Sequence, residues 1–162
     1  MSKARHVSET PATQVLKRHK IGYTEHHYDY VAHGGTDEAS RQLSIDAHRV
    51  VKTLIMEDDQ GRPLVVLMHG DHEVSTKNLA RQIGVKRVAV CQPDVAQRHS
   101  GYLVGGTSPF GTRKTMPVYV QRSVLELASM LINGGRRGYL LEMAPQVLTD
   151  LLSAKAVDVA LD

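Results

Sequence analysis

The sequence predicts an α+β protein, a curved mixed sheet flanked by short helices. Three observations carry this. Apolar runs of strand length recur along the chain, with Val50 to Glu57 and Leu64 to His69 the strongest. Short amphipathic stretches lie between such runs without a strict βαβ rhythm. Clusters of Gly, Asp and Asn punctuate them at hairpin distance.

The elements follow in order. Thr10-Pro11 reads as an N-cap followed by proline at the first helical position. Ala12, Val15 and Leu16 give that helix one apolar stripe, which ends before Gly22. Tyr23 to Tyr28 reads as a strand and Asp29 to Thr36 as a loop. Asp37 to Leu43 suits a short helix, because acids favour its N-terminal end. The runs at Val50 and Leu64 are separated by Asp58-Asp59-Gln60-Gly61, so they form a hairpin at the centre of the sheet. Leu64 to Met68 shows no alternation, which predicts burial on both faces. Ser75 caps a helix that Gly84 closes after Ile83. Lys86 to Cys91 is the next strand, Pro93 to Arg98 a short helix and Val118 to Val120 another strand. Leu131 to Leu141 is a hairpin turning at Asn133-Gly134-Gly135. Pro145 to Ser153 is the terminal helix, with an acidic tail bearing Asp158 and Asp162.

Composition bounds the function classes. A chain of 162 residues suits one domain with one core. Trp is absent and Phe110 is the only phenylalanine, so aliphatic residues and methionine build the interior. Cys91 is alone, which excludes an intrachain disulfide and fits a reducing compartment. Met1 to Val7 is polar and basic with no apolar run behind it, so a cytoplasmic protein without a secretion signal or membrane span is expected. The net charge of +3 permits a phosphate-bearing partner without demanding one.

Two segments could carry chemistry. Val104 to Gly111 holds three glycines, a serine and a proline within eight residues. Such a loop is either an ordinary tight turn or a cradle whose amides hold a carbonyl oxygen or oxyanion. It is neither a Walker loop nor a dinucleotide fingerprint. Lys52 sits inside an apolar strand, where it either points outward or aims a cation into a pocket.

With these segments in place, an ordered set of motifs stands out. Val51-Lys52-Thr53-Leu54 comes first, then Val95-Ala96-Gln97-Arg98. Gly101-Tyr102-Leu103-Val104-Gly105-Gly106-Thr107-Ser108-Pro109-Phe110-Gly111 and Asn133-Gly134-Gly135-Arg136-Arg137-Gly138 follow. The set resembles the YbaK-type aminoacyl-tRNA deacylases, relatives of the editing domain inserted in bacterial prolyl-tRNA synthetases. It runs from about Thr10 to the C-terminus and is most similar to the free-standing branch that clears cysteine from tRNA(Pro).

The resemblance implies one editing domain over residues 1–162, with a highly twisted, barrel-like mixed sheet and a pocket in a crevice on it. It implies Lys52 as the catalytic cation. Tyr28, Thr53, Gly105, Gly106, Ser108, Pro109 and Asn133 become substrate-binding positions. Neither cofactor nor metal is implied, and neither a membrane nor DNA is an expected partner. The partners would be the 3′ CCA end of an aminoacyl-tRNA and prolyl-tRNA synthetase. The implied mechanism is substrate-assisted: the thiol of a mischarged cysteine, or a ribose hydroxyl of the terminal adenosine, supplies what the protein lacks, while the enzyme positions the ester and stabilises the developing oxyanion, with thiolactone release as one outcome. Proximity alone supplies effective molarities on the order of 10⁵ M, and one oxyanion donor is worth roughly 3 kcal/mol.

The chain departs from the family at His33-Gly34-Gly35, where an aromatic before glycine is usual, and at Asn133 and Leu140, where some cysteine-specific members carry serine and aspartate. Two other readings stand beside this one. One is a non-catalytic module binding a tRNA end or nucleotide in the same cleft. The other is a metal-dependent ester hydrolase using His69, His72 and an acid, although histidines at a strand end are commonly solvated. Arg113-Lys114 and Arg136-Arg137 would hold the CCA phosphates if both rimmed one crevice. Cys91 reads as a small core residue.

Overall fold

The computed structural model describes residues 9–161. The readings placed on Met1 to Val7 and on Asp162 lie outside them.

Helix α1 (Pro11–Arg18) begins where the sequence places it. The Thr10 hydroxyl accepts from the Thr13 amide, and Thr13 answers with its own side chain on the Thr10 amide. The Thr10 hydroxyl also donates to Gly134 O at 2.6 Å, which fixes the helix to a distant hairpin. Strand β1 (Thr24–His27) and helix α2 (Gly35–Leu43) follow.

Strands β2 (Val50–Asp58) and β3 (Pro63–His69) form the central antiparallel hairpin. Five consecutive residues of β3, Leu64 to Met68, are buried, as the lack of alternation requires. A two-residue strand β4 (Glu73–Val74) leads into α3 (Thr76–Ile83), capped by Ser75 and closed by left-handed Gly84. Next come β5 (Val88–Val90), α4 (Pro93–Ser100), β6 (Val118–Gln121), β7 (Met130–Asn133) and β8 (Tyr139–Met143). Helix α5 (Gln146–Leu152) is not terminal, because β9 (Lys155–Val157) and β10 (Ala160–Leu161) lie beyond it.

The main sheet runs β1-β8-β7-β2-β3-β6-β9, with β5 also paired to β2. It is mixed: β2 with β7, β3 with β6, and β6 with β9 are parallel, and the other pairs are antiparallel. A small sheet joins β10 to β4. The α+β class and the mixed sheet with short flanking helices agree with the sequence reading. One apolar cluster gathers Leu16, Val51, Ile55, Phe110, Tyr139 and Leu148 on one face. A second packs Met56, Val66, Met68 and Leu79 on the other. The alternation of β2 therefore directs Val51 and Ile55 one way and Met56 the other.

The feature that makes a site lies on one edge of β2. Strand β3 occupies the opposite edge continuously from Val51 to Glu57. The first edge is shared. Strand β7 pairs with Val50 and Val51 only, and β5 pairs with Met56 to Asp58 only. Between them the sheet divides, and no described strand covers Lys52 to Leu54.

Candidate active site

The divided edge opens into a crevice of about 890 Å³. Lys52, Thr53, Tyr28, Gly105, Thr107 and Asn133 all line it, although they come from β2, the loop after β1, the glycine loop and the β7–β8 hairpin.

Lys52 Nζ lies 3.3 Å from Glu73 Oε2. The lysine side chain is only 18% exposed while the glutamate is 81% exposed. A carboxylate that open to water holds its partner weakly, so the ammonium is sheltered within the crevice but not locked. Thr53 Oγ1 is buried with no hydrogen-bond partner among the described residues. An orphaned buried hydroxyl costs about 1–3 kcal/mol, and this one stands at a crevice wall. Tyr28 is half-buried, its amide donating to Gly138 O. Burial, followed by the neighbouring Tyr30, holds its phenol above the usual range.

The glycine block divides in function. Gly105 has φ +90, a conformation that glycine adopts without strain. Its carbonyl accepts from Asn133 Nδ2 at 3.2 Å. Asn133 Oδ1 accepts from the Gly135 and Arg136 amides, so this side chain ties the hairpin turn to the loop. Gly106, Ser108 and Pro109 are buried and do not line the crevice. The Gly106 amide donates to Leu103 O, and a Cβ added there would meet Arg137 N at 2.8 Å and Arg136 C at 2.9 Å. The Ser108 hydroxyl accepts from the Phe110 amide, which seats the Phe110 ring in the core. These residues shape the loop from behind.

The departures also face the crevice. His33, Gly34 and Gly35 form its wall at the start of α2. Leu140, 4% exposed and opposite Asn133 in register, gives an apolar surface. Cys91, beyond β5, lines the crevice as well, so it is not purely interior. Burial, and next the charge of Glu57, pushes its thiol up to about 11. It is therefore protonated near neutral pH and unsuited to act as a nucleophile.

Among the described residues two groups offer metal-ligand chemistry: His48 with His69 and Asp71, and Glu57 with Cys91 and His99. His69 is fully buried rather than solvated. Its Nδ1 meets His48 O at 2.7 Å and its Nε2 meets Ser123 Oγ at 2.7 Å. His99 Nε2 lies 2.6 Å from Glu57 Oε2, and its Nδ1 lies 2.8 Å from Lys114 Nζ. In both histidines each ring nitrogen already has a protein partner. The same contact turns Lys114 toward His99, while Arg113 packs over Gly101. Of the two basic pairs expected at one rim, Arg136-Arg137 reaches the crevice, through Arg137, and Arg113-Lys114 does not.

Residues 33–151 match the model of the aminoacyl-tRNA editing domain. The chain belongs to the aminoacyl-tRNA editing domain family. This editing domain is 26% identical over 160 residues to an Enterococcus faecalis protein named "Putative Cys-tRNA(Pro)/Cys-tRNA(Cys) deacylase EbsC", covering 98% of each chain. It is 34% identical over 73 residues to a Proline–tRNA ligase of Syntrophotalea carbinolica, covering 45% of this chain and 13% of that one. Its fold matches a solved structure described as "a putative trans-editing enzyme for prolyl tRNA synthetase" with a TM-score of 0.80. That match is 19% identical and covers 95% of this chain and 99% of the other. The YbaK-type resemblance read from the motifs is borne out. Among the described residues no helix is long and apolar enough to cross a membrane.

Sequence reasoning missed Glu73 as the partner of Lys52. It lies 21 residues away on a two-residue strand, and no local pattern marks it. The crevice position of Cys91 was also missed, because it depends on where β5 leaves β2.

Proposed function

We propose that this editing domain, acting as one unit over the whole chain, hydrolyses the ester of a mischarged aminoacyl-tRNA, with Cys-tRNA(Pro) as the favoured substrate. The observation that carries the reading is the meeting of Lys52, Thr53 and Gly105 at one crevice. Its volume lies in the ~300–1,000 Å³ range of small-ligand sites, suited to the terminal adenosine and its amino acid. The name of the Enterococcus relative supports the reaction class and the amino acid.

The chemistry is substrate-assisted. The cysteine thiol sulfur attacks the ester carbonyl carbon, and the C–O bond to the ribose breaks. The ribose oxygen leaves with the proton that the thiol gives up, and water then opens the thiolactone to free cysteine. Lys52 holds the carbonyl oxygen as negative charge develops on it, a role worth roughly 3 kcal/mol for a single donor. The Thr53 hydroxyl, Gly105 and Thr107 position the ester. No protein nucleophile is required, in keeping with a Cys91 thiol pushed up to about 11. A crevice of this size reads little beyond the charged adenosine. Choice of tRNA therefore falls to a partner, which we assign to prolyl-tRNA synthetase.

The test is a panel of cysteinyl-, alanyl- and prolyl-tRNA(Pro), with and without chelator. Cysteinyl-tRNA(Pro) is expected to be cleared fastest, at a rate that chelator leaves unchanged. Lys52→Ala is expected to lose at least tenfold in rate, roughly 1.4 kcal/mol. Binding of every charged tRNA without turnover would overturn the proposal in favour of a binding module.

A further inference from the structure

The crevice has an outer rim that the ester chemistry does not use. Six large apolar side chains are exposed among the described residues, and three of them line the crevice together at this rim: Tyr30 at 37%, and Val31 and Val104 at 45%. Exposed apolar surface gathered in one place marks a contact surface. It is also built. The Arg137 guanidinium lies 4.7 Å over the Tyr30 ring centroid. Arg137 Nε donates to Val104 O at 2.9 Å. The Tyr30 ring packs so closely on Gly105 that a Cβ there would lie 2.7 Å from Tyr30 Cε1. Three chain segments thus hold one aromatic ring and one guanidinium in a stack. Among the described residues Arg137 pairs with no carboxylate within 4.0 Å, so its charge is uncompensated.

We propose that Tyr30 and Arg137 form a stacking clamp for the nucleobase that precedes the terminal adenosine, with Arg137 also meeting its phosphate. The proposal rests on the reading of the crevice as an aminoacyl-adenosine site and extends it to the neighbouring nucleotide. The occupant follows from the chemistry. A flat π surface backed by an unpaired cation suits a single-stranded base and its phosphate, because stacking uses the ring face and the cation answers the backbone. An apolar peptide would use the two valines but leave the cation unmatched. Such a clamp reads no base edge. It orients the 3′ end so that the charged adenosine enters the crevice ester first.

The test compares two substrates that carry the same aminoacyl ester, full-length charged tRNA(Pro) and aminoacyl-adenosine. Tyr30→Ala and Arg137→Ala are each expected to lower kcat/KM about tenfold or more on the tRNA and less than twofold on aminoacyl-adenosine. Tyr30→Phe should restore the rate and Tyr30→Leu should not, since only the former keeps the ring. For Arg137→Ala, the fall of log kcat/KM with log salt should lose about 0.7 of its slope, the value of one single-strand phosphate contact. For Tyr30→Ala the slope should stay. Equal losses on both substrates, or no loss on either, would overturn the clamp. Should the wild-type protein turn over no charged tRNA, the ester reading fails by itself. Binding of an uncharged RNA ending in CCA then decides the clamp: weaker binding by Tyr30→Ala supports it, and unchanged binding sinks it.

Discussion

The crevice and the histidine cluster beside it are both polar sites set among apolar residues, and they are finished differently. At the end of β3, His69 is fully buried with each ring nitrogen partnered, and the His48 ring stacks on it at 3.7 Å between centroids. Asp71 completes the group by bonding His48 Nδ1 at 3.1 Å. In the crevice, among the described residues, the buried Thr53 Oγ1 has no partner and Lys52 has one largely solvated carboxylate. Partnered polar groups hold a fold together, whereas unpartnered ones have bonding capacity left for the proposed ester. Removing a residue from the first region should therefore cost stability, and from the second it should cost turnover.

The largest break is expected at His69. His69→Ala orphans the His48 carbonyl, leaves the Ser123 hydroxyl with only its longer bond from Gln121 Nε2 and opens a cavity, so a loss of about 3 kcal/mol is expected in denaturant unfolding. Turnover per folded molecule should change little. The deficit should depend on pH. Burial, the largest cause, sets His69 below its ordinary value of 6.5, so the unfolded chain takes up the proton first. The wild-type advantage is therefore full above pH 6.5 and shrinks as pH falls below it. A deficit that grows on acidification would show that His69 is held charged. A large loss of turnover in a folded variant would move the cluster into the site.

An intermediate effect is expected at Cys91. With its thiol pushed up to about 11, its alkylation by iodoacetamide should rise about a hundredfold between pH 7 and pH 9. An ordinary exposed thiol near 8.5 would begin to level off within that span. Fast alkylation at pH 7 would mean an activated thiol and would place Cys91 on the open side of the comparison.

Much of the fold was legible in sequence, and the reasons are local, whereas the closed histidine cluster was not, since a strand-end histidine reads as solvated. The Thr10-Pro11 cap, the Ser75 to Gly84 helix and the β2–β3 hairpin are set by side chains within a few residues of the backbone they satisfy. The short strands β4, β9 and β10 were not legible, because two- and three-residue strands exist only through their partners. The parallel pairings of β2 with β7 and β3 with β6 join residues far apart in the chain. The site was legible as an ordered set of motifs. What the motifs could not show is that the glycine block has two faces. Gly105 and Thr107 face the crevice, while Ser108 and Phe110 anchor the loop in the core.

The smallest effect on stability is expected at Thr53, where it is most telling. Valine has nearly the shape of threonine and replaces the orphaned hydroxyl with a methyl group. A structural hydroxyl would cost stability when lost, whereas an unpartnered one should cost none. Thr53→Val is therefore expected to be neutral, or more stable by up to about 1 kcal/mol, in urea unfolding. If the hydroxyl bonds the bound ester, the same change should lower kcat/KM several-fold, with KM rising where the bond forms on binding and kcat falling where it forms only at the transition state. A variant that loses stability and keeps full turnover would reverse the assignment, and Thr53 would join His69 among the groups that serve the fold.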